Sequence, residues 1–504
     1  MQQPVNYDSD FCGSLPIHLT NLIQSYGLLL VIEPVNYTIV QASENTTVVF
    51  GSRAQDLVGN PIASFISEKS NADFLQRLTD GANTVIPMVW EVGQNNYVVL
   101  IHRKEKFLVI ELELKAINEN SNERFIDVYQ EMKYAMSAIE ATRTIEETCT
   151  LVARELKRIS GFDKVMVYQF DEQWNGHVLA EAKESDMESY FGFTFPASDI
   201  PKPARDLYLR NSFRLIPDRN YTPVRLHPVI NPITNSFIDL SDCNLRSVAA
   251  VHVEYLGNMG VTASMSTRIL HHDALWGLIA CHHKTPKYLS YAMTSMFEMM
   301  SSIISVKITS LQNQTLHASQ STLTAGYAEL IEAIYKKEKL DSTMLSATGL
   351  MNLFECSGMT ISRGGKFTSV GEVPAVGDLD ELILWLHTRA LKKVYTTDRL
   401  SQAYEYAKLF EDIASGLMVI PINAAIDEYV LLFRPEKVHV IQWGGNPEER
   451  IQFEQDQRTY HPRHSFKVWQ QTVRGISLPW RAEQTAAAEA LRSFIYEYET
   501  TLVR

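Results

Sequence analysis

An aspartate held between two prolines, with three arginines after it, is the feature of this chain richest in chemistry. In 190–214, YFGFTFPASDIPKPARDLYLRNSFR, Phe191, Phe193 and Phe195 alternate as on a strand, and Pro196 and Pro201 bracket Asp199. Proline fixes φ, removes an N–H and pushes the residue before it towards extended geometry. Asp199 is therefore expected in a stiff, non-helical segment beside an aromatic face. With Arg205, Arg210 and Arg214 downstream, this suits a pocket for a large flat ligand that carries acid groups. The same residues fit equally well a loop aspartate that caps the next helix.

The remaining reactive residues are scattered. Five cysteines (12, 149, 243, 281, 356) show no C-x-x-C spacing, which reads as a reducing cytoplasm with neither a disulfide framework nor a zinc site. His271-His272 and His282-His283 invite a metal reading, but neighbouring strand residues point to opposite faces, so each pair offers one inward imidazole and no metal is expected. Cys281, on the face opposite His282, is assigned to the core. No P-loop, glycine-rich ATP-binding segment or G-x-S-x-G is present, so any catalysis is expected beyond residue 504 or in another chain.

The 504 residues are enough for roughly three domains. Forty-six basic against fifty-nine acidic residues leave a net charge of −13, which argues against nucleic acid and anionic membranes as partners. No apolar run approaches the ~18 residues of a membrane span, and the N-terminus lacks a basic region before an apolar core. The expected location is the cytoplasm.

From 27 to 115 the pattern is strand-rich, with strands expected at 28–32, 38–41, 88–92, 97–102 and 107–114. Residues 142–159 form an amphipathic helix: Cys149, Val152, Leu156 and Ile159 share a face, Thr144-x-x-Glu147 offers a capping box and Gly161 a stop. Strands follow at 164–170 and 177–182, and an irregular Pro/Asn segment at 217–235. The stretch 245–255 and the hairpin 261–271/275–283 complete an antiparallel sheet. Met293, Met296, Met300, Ile304 and Leu311 mark a long helix read as an interdomain spine and dimer surface. A mixed α/β region spans roughly 340–480. In the helix from Ala482 to Leu502, the stripe Leu491, Phe494, Tyr498, Leu502 has nothing downstream to cover it, as in a coiled-coil signalling helix.

Pro196–Pro201 with its flanks resembles the PASDIP signature of phytochromes, the bilin-binding red-light receptors, and the rest of the chain resembles a bacteriophytochrome. The resemblance implies an α+β protein of three tandem domains, PAS, GAF and PHY, with antiparallel sheets joined by long helices and a figure-eight knot between the PAS arm and the GAF domain. It divides the chain into an arm (1–26), PAS (27–120), GAF (128–310), PHY (311–481, tongue at 440–470) and a signalling helix (482–504). Cys12, before Pro16-Ile17-His18, resembles the cysteine that forms a thioether to the A-ring of biliverdin IXα. Ser25 and Tyr26 depart from the family's Ile-Gln-Pro-His-Gly. Val251 stands where plant and cyanobacterial types carry their attachment cysteine, which implies biliverdin as the bilin.

The same resemblance implies site roles. Asp199 offers its carbonyl to the pyrrole N–H groups, His252 lies beside the pyrrole nitrogens, and His282 bonds the D-ring carbonyl. Arg214 and Arg246 hold the propionates, assisted by Tyr208, Ser264 and Ser266, while Tyr168, Phe195 and Tyr255 wall the D-ring. Trp443-Gly444-Gly445 and Pro462-Arg463-His464-Ser465-Phe466 resemble the PHY tongue, with Arg463 paired to Asp199 in the red-absorbing state and Ser465 replacing it after light. The implied partners are a second copy of the chain and an output module such as a histidine kinase with its response regulator. Alternatives are a bathy form with a far-red-absorbing resting state, and a GAF/PAS ligand sensor without photochemistry.

Overall fold

The computed structural model describes residues 17–79, 85–104, 106–116, 121–337, 340–345, 349–447, 451–453, 460–462 and 465–502. They form two compact units, Met1–Leu311 with Gln442–Trp469, and Gln312–Ile441 with Gln470–Arg504. Among the described residues no helix is long and apolar enough to cross a membrane.

The first sheet of the N-terminal unit has seven strands in the order Leu22–Ile23, Val224–His227, Ile39–Ser43, Gly27–Ile32, Leu108–Glu113, Asn95–Arg103, Val85–Val92. The five strands expected between 27 and 115 are all present. The segment 217–235, expected to be irregular throughout, contributes a strand: Val224 and Arg225 pair with Ile23 and Leu22, and Leu226 and His227 pair with Ser43 and Ala42. Bridges from Leu19 to Asp239 and from Ile23 to Arg246 flank the arm on its other side. Residues 19–23 of the arm therefore lie between two stretches of 224–246, held by backbone pairing that side-chain patterning does not announce.

The second sheet runs Phe213–Ile216, Ala263–His271, Ala274–His283, Lys164–Phe170, Gly176–Lys183, Thr194–Phe195, and Trp443 joins it by parallel pairing with Thr194. Strand alternation sorts its side chains. Val165, Val167, Met265, Ile279 and Cys281 face a helical layer containing Met132, Cys149, Val152, Leu156, Met296, Met300 and Ile304. Met166, Tyr168, Phe170 and Leu278 face the other way. His272 and Asp273 form the tip of the 263–283 hairpin, both at positive φ (47° and 61°), as a two-residue turn requires.

Four expectations need correction. The stretch 245–255 is not a sheet strand: Ala250–Asn258 is an α-helix in which Leu256 is the buried residue, packed with Ile216 and Val261. A short apolar run does not separate the two periods. Phe191 and Phe193 are not in a strand with Phe195, since only Thr194–Phe195 pairs and Phe191 is exposed. The methionine stripe is not a dimer surface, because Met296, Met300 and Ile304 bury inside the unit. The capping box is half made: Thr144 accepts from the Glu147 N–H, while Glu147 accepts from the Arg143 N–H and not from that of Thr144.

The second unit holds a five-stranded antiparallel sheet, ordered Lys366–Gly371, Gly358–Arg363, Glu428–Arg434, Gly416–Asn423, Tyr395–Thr397. Its central strand is buried on both faces, hence the unbroken run Tyr429–Phe433. Met418, Ile420, Val430 and Leu432 pack against Leu330, Ile334, Leu491, Ile495 and Tyr498, while Leu417, Val419, Leu431 and Phe433 pack against Leu379, Leu382 and Leu386. The described part of the stripe on the Ala482–Leu502 helix is therefore covered from within: Leu491 and Tyr498 are buried and Phe494 is half-buried against the same core, while the Leu502 side chain lies outside the described residues. This corrects the reading of an uncovered coiled-coil seam.

Candidate functional site

The register of the second sheet assembles the floor of a cavity. Ser264 pairs with His282 and Ser266 with Ala280, Met166 pairs with Ala280 and Tyr168 with Leu278. Directly paired residues share a face, so these side chains form one patch, opposite the face that buries Cys281. The Lys202–Arg210 helix starts just past Pro201 and presents Ala204, Leu207 and Tyr208, with Asn211 beyond its end, at i, i+3, i+4, i+7. The Ala250–Asn258 helix adds His252, Tyr255 and Leu256, and the segment before it Arg246 and Val248. Together they enclose a cavity of about 260 Å³.

Eleven of the residues singled out in the sequence line it: Asp199, His252, His282, Arg214, Arg246, Ser264, Ser266, Tyr168, Phe195, Tyr208 and Tyr255. Ser465 does not; it is exposed, and its Oγ accepts from the Lys467 N–H at 3.4 Å. Cys12 and Arg463 lie outside the described residues. Sequence reasoning missed Ile17, Ser198, Ala204, Leu207, Asn211 and Pro462. The helical spacing from 204 to 211 would have found three of them. Ile17 and Pro462 stand in the arm and tongue motifs, but nothing local marks them as cavity lining, which they reach through tertiary packing.

Asp199 ends a short 3-10 turn, Ala197–Asp199, which corrects the expectation of a non-helical segment. Its carboxylate accepts from Tyr255 Oη at 2.8 Å, and Phe466 meets the Tyr255 ring edge-on at 5.0 Å. Arg205 props the turn from beneath, donating to the Ile200 carbonyl at 2.7 Å and lying over the Trp174 ring. Asp199 thus joins an aromatic wall and is not a helix cap; Lys202–Arg210 has no side-chain cap.

The two cavity arginines differ in duty. Arg214 donates to the carbonyls of Asn244 (2.8 Å), Ser247 (3.1 Å) and Arg246, so most of its fork holds backbone. Arg246 donates to the Ile17 carbonyl at 3.1 Å, and its Nε is buried without a partner. Burial, and then the neighbouring Arg214, lower Arg246 to about 9, so it remains a cation at neutral pH. Among the described residues no carboxylate makes ion-pair contact with either guanidinium. Tyr208 Oη and Ser266 Oγ bond each other at 2.6 Å beside them. One end of the cavity is thus built for an anion.

Further along sit two imidazoles. Burial, then Lys164 and His252, lower His282 to about 3; burial, then Arg214, lowers His252 to about 4. Both are neutral at pH 7, and each keeps one donor and one acceptor nitrogen. His282 Nδ1 and Ser198 Oγ, like Arg246 Nε, are buried without partners. A largely apolar slot with an anion-seeking end and orphaned polar atoms along its walls fits an elongated apolar molecule carrying carboxylates and ring N–H and C=O groups.

Two outcomes follow. An unfolded imidazole takes a proton near 6.5 and His282 near 3, so the unfolded chain binds more protons between those values. Stability is then full above 6.5 and falls as pH drops through the window, by about 1.4 kcal/mol per unit. His282→Gln should make that acid limb shallower in ligand-free protein, His252, lowered to about 4, still contributing between 6.5 and 4; urea midpoints from neutral pH downward measure it. Glu113, raised to about 7 by burial, acts in the opposite sense, losing stability as pH rises from 4.5 to 7, and is common to both proteins. Second, a Cβ on Gly176 would lie 1.8 Å from Tyr168 Cε1. Gly176→Ala should push that ring into the cavity, costing about 1–3 kcal/mol and weakening ligand uptake; a thermal melt and a binding titration check both.

Fold and site together define a protein of three tandem domains, PAS, GAF and PHY, with its cavity in the middle one. Family models match in that order: a PAS fold over 12–115, a GAF domain over 144–308 and a phytochrome region over 323–501. A bacteriophytochrome of Xanthomonas campestris is 33% identical over 510 residues, covering 97% of this chain and 78% of that protein. Cyanobacterial phytochrome B of Nostoc is 35% identical over 98% of this chain, which spans 66% of that protein's length. Among solved structures, a bacteriophytochrome of R. palustris superposes with a TM-score of 0.85 at 31% identity, covering 97% of this chain and 99% of that one. The photosensory core module of the Stigmatella aurantiaca phytochrome does so at 0.82 and 33%, covering 98% of each chain. The chain belongs to the phytochrome family.

Proposed function

We propose that this chain is the light-sensing part of a red/far-red photoreceptor whose cavity holds biliverdin IXα, linked as a thioether to Cys12. The observation that carries the reading is the pair Arg214 and Arg246 lining the cavity, neither in ion-pair contact with a carboxylate among the described residues, beside two neutral imidazoles. Ile17, in the cavity wall, is five residues from Cys12, which limits their Cα separation to about 18 Å. Val251 also lines the cavity, so the position before His252 offers no thiol and attachment falls to Cys12.

The bilin supplies absorption of red light and a double bond, to its D-ring, about which light drives rotation. The chain's residues do the rest. Arg246 and the uncommitted donors of Arg214 hold the propionates, with Tyr208, Ser264 and Ser266 beside them; bidentate donation suits carboxylates. The Asp199 carbonyl accepts ring N–H groups, the neutral His252 sits alongside them, and His282 Nδ1 takes a polar partner at the far end. Tyr168, Phe195 and Tyr255 confine the rotating ring. The Asp199 carboxylate, tied to Tyr255 and through it to Phe466, is the contact through which a change in the cavity reaches the 451–466 hairpin. There Asp199 exchanges Arg463 for Ser465 and the hairpin refolds towards helix, a switch between two arrangements of one element. Long helices of a homodimer carry the change to an output module such as a histidine kinase and its response regulator.

The test is an absorption spectrum of the chain expressed with biliverdin, before and after red light, with a denaturing gel viewed for zinc-induced bilin fluorescence. A red band that converts reversibly to far-red, with gel fluorescence lost in Cys12→Ala, is expected. A far-red band formed in darkness would make it a bathy form. Failure to bind biliverdin overturns the reading, and an Asp199→Ala variant with unchanged photoproduct yield and hairpin structure overturns the switch.

A further inference from the structure

A second cluster of reactive side chains sits outside the cavity, on the face of the first sheet that covers the arm. His102 on Asn95–Arg103 and Glu111 on Leu108–Glu113 project into the apolar cluster of Ile23, Leu29, Val31, Val109 and Leu240, where Cys243 meets them from the 224–246 segment. All three are fully buried, with ligand atoms within 4.8 Å of one another. His102 Nε2 and Glu111 Oε1 are 2.6 Å apart, whereas His102 Nδ1 has no partner. Glu111 is oriented from behind: Oε1 accepts from the Asn244 N–H at 3.1 Å and Oε2 from the Leu245 N–H at 2.5 Å. Amides that aim a ligating carboxylate in this way are a recurrent support of metal sites.

We propose that His102, Glu111 and Cys243 bind one borderline-soft divalent cation, zinc or cobalt, which clamps the 224–246 segment to the first sheet. The donor set is one nitrogen, one oxygen and one sulfur, the combination that selects such ions over calcium or magnesium. Charge balances within the buried volume: a dication, a thiolate, a carboxylate and a neutral imidazole sum to zero, so no net charge is buried. On binding, Cys243 gives its thiol proton to solvent, and His102 keeps its single proton on the nitrogen turned away from the ion. The clamp also bears on the cavity, because Arg246 stands three residues beyond Cys243. It does not depend on the proposed photochemistry.

The experiment uses the full chain without bilin, so that zinc binding by a tetrapyrrole cannot interfere. Chelator-stripped protein is equilibrated with Co2+ and desalted. The expected result is one cobalt per chain, with a thiolate-to-cobalt charge-transfer band in the near ultraviolet that Zn2+ abolishes by displacement, and a higher melting temperature with zinc. Band and retained metal should be lost in Cys243→Ala and in His102→Gln, each checked for native circular dichroism, and kept in Cys12→Ala. Wild-type protein that retains no cobalt overturns the proposal. So does a Cys243→Ala protein that retains cobalt with the band unchanged, or a stoichiometric cobalt without a thiolate band.

Discussion

Arg214→Met is expected to unfold the middle of the N-terminal unit at markedly lower urea and to abolish bilin uptake. The side chain fills similar space but leaves the carbonyls of Arg246 and Ser247 without their donor and takes one of two from the Asn244 carbonyl, which keeps Gln24 Nε2. Unpaired buried acceptors cost about 1–3 kcal/mol each, so the loss is on the order of 3 kcal/mol after relaxation. The segment released is the one that carries Arg246, ties to the arm through the Gln24 N–H to the Leu245 carbonyl at 2.7 Å, and leads into the His252 helix. Arg214→Lys should recover little, because one ammonium does not span three carbonyls that a planar fork reaches. A guanidinium that only held a propionate would behave differently: uptake would fall while the ligand-free urea midpoint stayed in place. Comparing the midpoints of ligand-free wild type and variant separates the two roles.

The sequence already located most of this site, and the reason is strand alternation. Ser264 and Ser266 share a face because they are two apart, and His282 separates from Cys281 because they are adjacent; neither inference needs a partner strand. Which strand lies beside which is another matter. The pairing of Ser264 with His282 is a register: the turn at His272-Asp273 by itself would oppose Ser264 to Cys281, and the bulge between Ile269 and Leu270 shifts the ladder by one residue and so brings serine and imidazole together. His252 was placed in the site by motif but in the wrong element, because Val251, Val253 and Tyr255 alternate as strand residues do while the chain there is helical. Arg214 was legible as a cation at a pocket; that it spends most of its fork on backbone was not, since backbone acceptors have no sequence signature. The same holds for His102, Glu111 and Cys243, whose spacing means nothing until a sheet and a returning segment bring them together.

In the second unit Arg434→Met is expected to cost on the order of 4 kcal/mol, because it strips a donor from five acceptors at once, two of them in buried contacts. All five N–H groups of Arg434 are used: Nε on the Glu355 carbonyl (3.2 Å), Nη1 on Leu478 (3.2 Å) and Pro479 (2.7 Å), Nη2 on Phe354 (2.7 Å) and on Gln484 Oε1 (3.2 Å). The guanidinium also lies 3.7 Å over the Trp480 ring. Gln484 Oε1 accepts from the Arg481 N–H as well, so the first turn of the Ala482–Leu502 helix hangs on this one side chain. The residue ends the central strand, Glu428–Arg434, and thereby fixes the helix base to the most buried element of the unit. Amide exchange should quicken first at 478–485 and only later in the Gly416–Asn423 and Glu428–Arg434 strands, whose ladder the substitution leaves intact. Uniform loss of protection across both would mean that the sheet itself depends on the arginine. Early loss confined to the helix base would identify Arg434 as the joint that makes that helix move with the sheet as one body.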